Sequence, residues 1–146
     1  MDYEAIAAAL KTRFTSVTPP ADEEALEATD EPPNSIGPSQ IVVMLPPPED
    51  VEWGPGKHRY SVQLWEVWAI FAQEGDFPIR MHRLAKWQKA LLDQVVAHIQ
   101  LGLAYVDMAE IRRIEPAQPD WAEIPYDGLR ITVRVQTREV VTGAAA

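Results

Sequence analysis

The sequence predicts an α+β domain in which two helices pack on one face of a mainly antiparallel or mixed four-stranded sheet, in the order α-β-β-α-β-β. Three patterns carry that expectation. Leu129, Ile131, Val133 and Val135 alternate with Arg130, Thr132, Arg134, Gln136 and Arg138, the period of two that a half-buried strand imposes. Leu84, Trp87, Leu91, Leu92, Val95 and Ile99 recur at spacings of three and four, as one buried helical stripe does. Between them in kind, Arg59–Gln73 has Tyr60, Val62, Leu64, Trp68 and Ile70 in one phase and Trp65, Val67, Ala69 and Phe71 in the other. Its second half should therefore be covered on both faces, with Trp68 and Trp87 as core tryptophans.

In chain order, Asp2 can cap a first helix whose apolar stripe is Tyr3, Ile6, Ala7, Leu10 and Phe14, ended by Pro19-Pro20. Residues 18–39 read as an acidic, proline-rich loop or arm, with at most a short helix at its start. Gln40 to Leu45 is a β-branched run closed by Pro46-Pro47-Pro48, a strand that can form a hairpin with Arg59–Gln73. Trp53-Gly54-Pro55-Gly56 is turn chemistry. Phe77-Pro78 opens a helix of roughly Ile79 to Leu101, with Gly102 as its stop. Met108 to Glu115 is a strand holding the basic pair Arg112-Arg113, and Pro116 to Asp127 is a loop carrying Trp121. The whole makes one domain, 1–142, with a frayed tail at 143–146, as suits 146 residues of which 47% are hydrophobic and 24% charged.

Charge is unevenly placed. Residues 1–55 hold 11 acidic side chains against Lys11 and Arg13, whereas residues 56–146 hold 11 of each sign, so the net −9 belongs to the first third. Nine of the 13 prolines lie there too, which reads as a solvated loop or as an arm that docks on a neighbour. A net acidic chain without a basic cluster is a poor candidate for gripping nucleic acid. No apolar run is long enough to span a bilayer, and Met1-Asp2-Tyr3-Glu4 opens without a basic or apolar leader, so a cytosolic-type protein is expected.

Catalytic patterns are missing. There is no cysteine, which removes disulfides, thiolate metal sites and thiol nucleophiles. His82 and His98 fall about 24 Å apart on one helix at the standard rise, too far to share a metal. The four serines, Ser16, Ser35, Ser39 and Ser61, lie in no Gly-x-Ser-x-Gly elbow, and Gly54-Pro55-Gly56 has neither the amides nor the Lys-Ser/Thr of a phosphate loop. Glu23-Glu24 and Glu49-Asp50 read as solvated charge. No cofactor and no enzymatic activity are expected. The alternating arginines read most simply as a solvated face, yet beside an acidic first third they also suit contact between copies.

The order and texture of the whole chain carry a further reading. Its pieces are the opening helix Ala5-Ile-Ala-Ala-Ala-Leu-Lys-Thr-Arg-Phe14 and the proline-flanked strand Pro38-Ser-Gln-Ile-Val-Val-Met-Leu-Pro-Pro-Pro48. The long strand Arg59-Tyr-Ser-Val-Gln-Leu-Trp-Glu-Val-Trp-Ala69, the amphipathic helix after it and the closing Asp127-Gly-Leu-Arg-Ile-Thr-Val-Arg-Val135 complete them. Over nearly its full length the chain resembles the tail terminator (tail completion) proteins of long-tailed bacteriophages, without a diagnostic signature and with a longer, more acidic segment after the first helix. The resemblance implies a structural virion protein at the head-proximal end of the tail. Such proteins form a hexameric ring that caps the tail tube, ends its polymerisation and offers a surface to the head-side neck or connector protein, while DNA passes through the lumen without specific binding. On that view Glu66, Arg130, Arg134 and Arg138 are inter-subunit or partner contacts, Trp53 and Trp121 are loop anchors, and Arg80 and Arg83 are further candidates. Another head–tail connector or head-closure neck protein, and a small-molecule-binding α+β domain, stay open as alternatives.

Overall fold

The computed structural model describes residues 2–29, 39–44, 50–54, 58–95 and 101–140. Its elements run α1 (Tyr3–Thr15), β1 (Glu27–Thr29), β2 (Ser39–Met44), β3 (Asp50–Trp53), β4 (His58–Ala72), α2 (Phe77–Gln94), β5 (Val106–Ala117), β6 (Asp120–Trp121) and β7 (Ile124–Val140). The α+β class and the two helices stand as the sequence indicates, but the described residues form seven strands rather than four. The sheet order is β1-β2-β4-β7-β5, antiparallel except for β1 on β2, with β3 also on β4 and β6 on β7.

β4 and β7 form the spine, paired without a break from His58↔Val140 to Ala72↔Tyr126. β2 and β3 lie end to end along the other edge of β4, β2 opposite residues 66–71 and β3 opposite residues 59–62. The antiparallel pairing expected between the Gln40 run and the long strand is thus present, but β3 intervenes, and it is β3 rather than β2 that forms the hairpin with β4. The ring of Tyr60 lies against Gly54 in the space that a Cβ would take, so any larger residue there would have to displace the ring.

The core lies on one side of this sheet. Trp65, Val67, Ala69 and Phe71 of β4 and Leu129, Ile131, Val133 and Val135 of β7 face Ile6, Leu10 and Phe14 of α1 and Leu84, Trp87 and Leu91 of α2. Both helices therefore cover the same face. Asp2 caps α1, its Oδ1 accepting from the Glu4 and Ala5 amides at 2.9 and 3.2 Å. Asp76 caps α2 in the same way through the Ile79 amide at 3.1 Å, with Pro78 in the first turn. The two C-termini are tied together: Arg13 donates to the Gln94 carbonyl at 2.5 Å, and the Gln94 side chain bonds both backbone groups of Thr18. A guanidinium on the last carbonyl of α2 suits the negative end of its dipole.

Several expectations need correction. α2 ends at Gln94, with Val95 as its cap residue, well before Leu101; Ile99 and His98 lie outside the described residues. Leu92 is half exposed rather than part of the buried stripe. Trp68 belongs to the outer phase of β4, and Trp65 takes the core position. The 18–39 segment is not wholly loop: Leu26 is buried, and β1 pairs in parallel with β2 from Glu27↔Gln40 to Thr29↔Val42, with no helix at its start. The stretch from Pro116 to Asp127 is not a loop: Pro116 and Ala117 end β5, and β6 and β7 form a hairpin joined by Ala122 and Glu123, both at positive φ. Two consecutive residues at φ > 0 make a turn whose twist matches its strands, normally written with Asn and Gly. Ser61, Gln63 and Thr137 are buried on the helix side, where an apolar stripe was expected; Gln63 accepts the Trp65 indole N–H at 2.8 Å.

Candidate interaction surface

The face of the sheet turned away from the helices is where the alternating polar residues come together. From β7 it takes Arg130, Thr132, Arg134, Gln136 and Arg138, and from β4 Tyr60, Val62, Leu64, Glu66 and Trp68. The antiparallel register sets them in rungs: Arg130 opposite Trp68, Thr132 opposite Glu66, Arg134 opposite Leu64, Gln136 opposite Val62. β5 completes the rungs on the far side of β7 with Glu115 opposite Arg130, Arg113 opposite Thr132, Glu110 opposite Arg134 and Met108 opposite Gln136. Opposite charges across neighbouring strands are the sheet's equivalent of helical ion pairs.

β5 reaches this arrangement through a bulge. Ile111 pairs with Val133 and Ile114 with Ile131, both on the core face, although residues three apart on a regular strand point to opposite faces. The unpaired Arg112 absorbs the odd residue, so both isoleucines stay inside and two consecutive arginines come out. A second irregularity at Asp107 places its carboxylate 3.6 Å from Arg138. Bulges of this kind also twist an edge strand away from unwanted pairing.

The expected contact residues are engaged within the chain. Arg130 forms an ion pair with Glu66 and lies 3.8 Å from Glu115, and Glu66 also accepts from the Trp68 indole at 3.4 Å. Arg134 stands 4.0 Å from Glu110. Arg112 and Arg113 pair with Glu110 at 3.2 Å and Glu115 at 2.9 Å. The pairs are layered: Arg113 is 70% exposed over Glu115 at 31%, and Arg112 58% over Glu110 at 18%. In each of the others on this face the arginine is again the outer member. Guanidinium donors meet solvent and the carboxylates sit beneath, although the charges nearly balance.

The two loop tryptophans frame this surface differently. Trp121 is folded back, packing with Trp68 against Ile70 and Tyr126 in a small apolar cluster at one end of the face. Trp53 sits at the other end, 60% exposed at the tip of the β3–β4 hairpin, beside a shallow groove that Glu52, Tyr60, Val62 and Gln136 help to line. Trp121 is thus a structural aromatic and Trp53 a presented one.

Arg80 and Arg83, the further contact candidates, lie apart from this face and are both engaged by acids of the chain itself. Arg80 holds the buried Asp127 with two bonds of 2.8 Å, a fork-to-carboxylate arrangement. The hydrogen bonds that Arg80 donates to Asp127 raise the guanidinium pKa above its ordinary value against the desolvation that lowers it. Arg83 pairs with Glu23 at 3.0 Å and stacks over the Phe71 ring at 4.7 Å. Glu23, read from the sequence as solvated charge, is instead largely covered and ion-paired, and Asp127 has no role in the sequence reading; cations near the start of α2, where its dipole favours acids, were the available signal.

Among the described residues no group of three or more His, Asp or Glu is disposed to hold a metal ion, and no helix is long and apolar enough to cross a membrane. No protein-family model matches the chain, and comparison with curated proteins gives no significant match.

Proposed function

We propose that the chain is a structural subunit that assembles head-to-tail into a ring of the tail-terminator kind, capping a phage tail tube and joining it to the neck. One observation supports this reading above the others: both helices cover one face of the sheet, and among the described residues the opposite face is a broad surface of outward guanidinium groups. A layer so placed gives a small domain a large contact area without disturbing its core, which is what a ring subunit needs on two sides. The resemblance in element order to tail terminators, read from the sequence, names the kind of ring. The ring's neighbours on this reading are the tube protein on one side and the neck protein on the other, and no catalytic group or cofactor takes part.

The buried Ser61, Gln63 and Thr137 are what a pocket-binding reading would use, but they are closed from solvent and Gln63 is engaged by Trp65. Two measurements test the ring. Light scattering over rising concentration should approach six times 16.4 kDa. Removing the gene from the phage that carries it should give tails of uncontrolled length, restored by the wild-type chain. Finished tails of normal length without heads would instead assign the chain to a head-side connector.

A further inference from the structure

The sheet order puts two unlike edges at opposite sides of the molecule. β5 closes one side and presents Arg112 and Arg113, outward of their carboxylates, with Arg138 beside them on β7. β1 and the turn before it close the other side and present Asp22, Glu24 and Glu27 with Glu74 nearby, all exposed. A hollow among these acids contains a single basic residue, Arg83, which is turned to Glu23. We infer that the open guanidinium edge docks a second copy of this chain through that carboxylate edge, head to tail. This rests on the ring reading and names its contact.

The charge pattern selects this occupant. The first third of the chain carries the whole net charge, and four of its eight described acids, Asp22, Glu23, Glu24 and Glu27, lie on the side opposite the arginines, with Lys86 and Lys89 beside Asp22. A contact between two different patches at opposite ends of a protomer is heterologous, and such contacts close into rings when the rotation allows. A two-fold contact between identical edges would set arginine against arginine or acid against acid, which complementarity disfavours. The guanidinium groups keep spare N–H donors after their intrachain pairing, since each has five, so a carboxylate from a neighbour adds bonds without displacing the first one. Because these ion pairs are exposed, the contact is sensitive to salt.

Two variants test it. One carries Arg112→Glu and Arg113→Glu, the other Glu24→Lys and Glu27→Lys; all four positions are exposed, and circular dichroism with a thermal midpoint checks the fold of each. In light scattering at low salt, each variant alone should need on the order of tenfold or more protein to associate than wild type does. An equimolar mixture should recover association in assemblies of alternating subunits, and a chain with all four reversals should recover it alone. Association of either variant at the wild-type concentration, or a mixture no more associated than its parts, overturns the contact; if wild type still forms a ring, the ring reading survives with its interface elsewhere. A wild-type chain monomeric at every concentration overturns the contact, and tail length alone then decides the ring. Retardation of duplex DNA by the wild-type chain, lost in the arginine variant and without self-association, would reassign this edge to nucleic acid.

Discussion

The two faces of one sheet use the same strands for opposite purposes. On the helix side, Trp65, Val67, Ile131 and Val133 are sealed, and the apolar residues there find helical side chains in every direction. On the other side, Leu64 and Arg134 share a rung with Glu110, and the organising interaction is charge in water rather than apolar burial. Apart from the small cluster of Ile70, Tyr126, Trp68 and Trp121 at one end of the outer face, stability should therefore be lodged in the helix side, leaving the rest of the other face free to be chosen for contact. Neighbouring residues in the sequence, such as Leu64 and Trp65, belong to different regimes.

The sharpest way to break that contrast is to truncate one residue on each side. Trp65→Ala removes a fully buried indole and strands its Gln63 partner, and should lower stability by about 4 kcal/mol in urea unfolding. Leu64→Ala, one residue earlier and 45% exposed, should change it by less than about 1 kcal/mol. Comparable losses at the two positions would mean that the outer face is covered in solution.

Next comes the ion pair that joins α2 to the start of β7. Asp127 is buried and holds Arg80 by two bonds, so Asp127→Ala leaves a guanidinium with its counter-charge gone at a half-closed site. The thermal midpoint should fall further than for Glu115→Ala, whose carboxylate lies among exposed arginines. An equal fall for both would erase the distinction between the two kinds of ion pair.

How much of this was legible depends on which interactions are local. The stripe Ile6, Leu10 and Phe14, the alternation of Leu129 to Val135 and the double covering of the second half of β4 follow from periodicity, and the structure has them. β1 was not legible because Glu-Ala-Thr has little strand character and its partner β2 lies 13 residues on, from Glu27 to Gln40. The β6–β7 hairpin was hidden because Ala122 and Glu123 stand where Asn and Gly would have announced the turn. At the candidate surface, Arg130, Arg134 and Arg138 could be placed on one face, but of their acids the sequence singles out only Glu66, and as a contact rather than as the partner of Arg130. Glu110 and Glu115 meet Arg134 and Arg130 only because Arg112 bulges out between Ile111 and Ile114, a register change that a strict alternation rule misreads.

That hairpin offers a smaller test, and one of opposite sign. Ala122 and Glu123 adopt φ values of 49° and 67°, where a Cβ is unfavourable. Replacing them with Asn and Gly should raise stability by about 1 kcal/mol, read as a higher urea midpoint with an unchanged slope. No change would mean that the turn relaxes away from this geometry.

The smallest effect is expected on the arginine face itself, and it is the most informative for the contrast between faces. Arg134 is partly exposed, and its nearest carboxylate oxygen lies at 4.0 Å, the outer limit of an ion pair. Its Coulomb attraction is screened and its removal leaves Glu110 still paired with Arg112. Arg134→Ala should therefore change unfolding free energy by no more than about 0.5 kcal/mol. A loss of several times that would show that the layered ion pairs hold the sheet together, and a surface so committed to its own fold would have little freedom to be shaped by a neighbour. A loss within the expected bound leaves solvation of the sheet face and contact with another molecule as the physical reasons for keeping so many guanidinium groups outermost on one face, and the association measurements above separate the two.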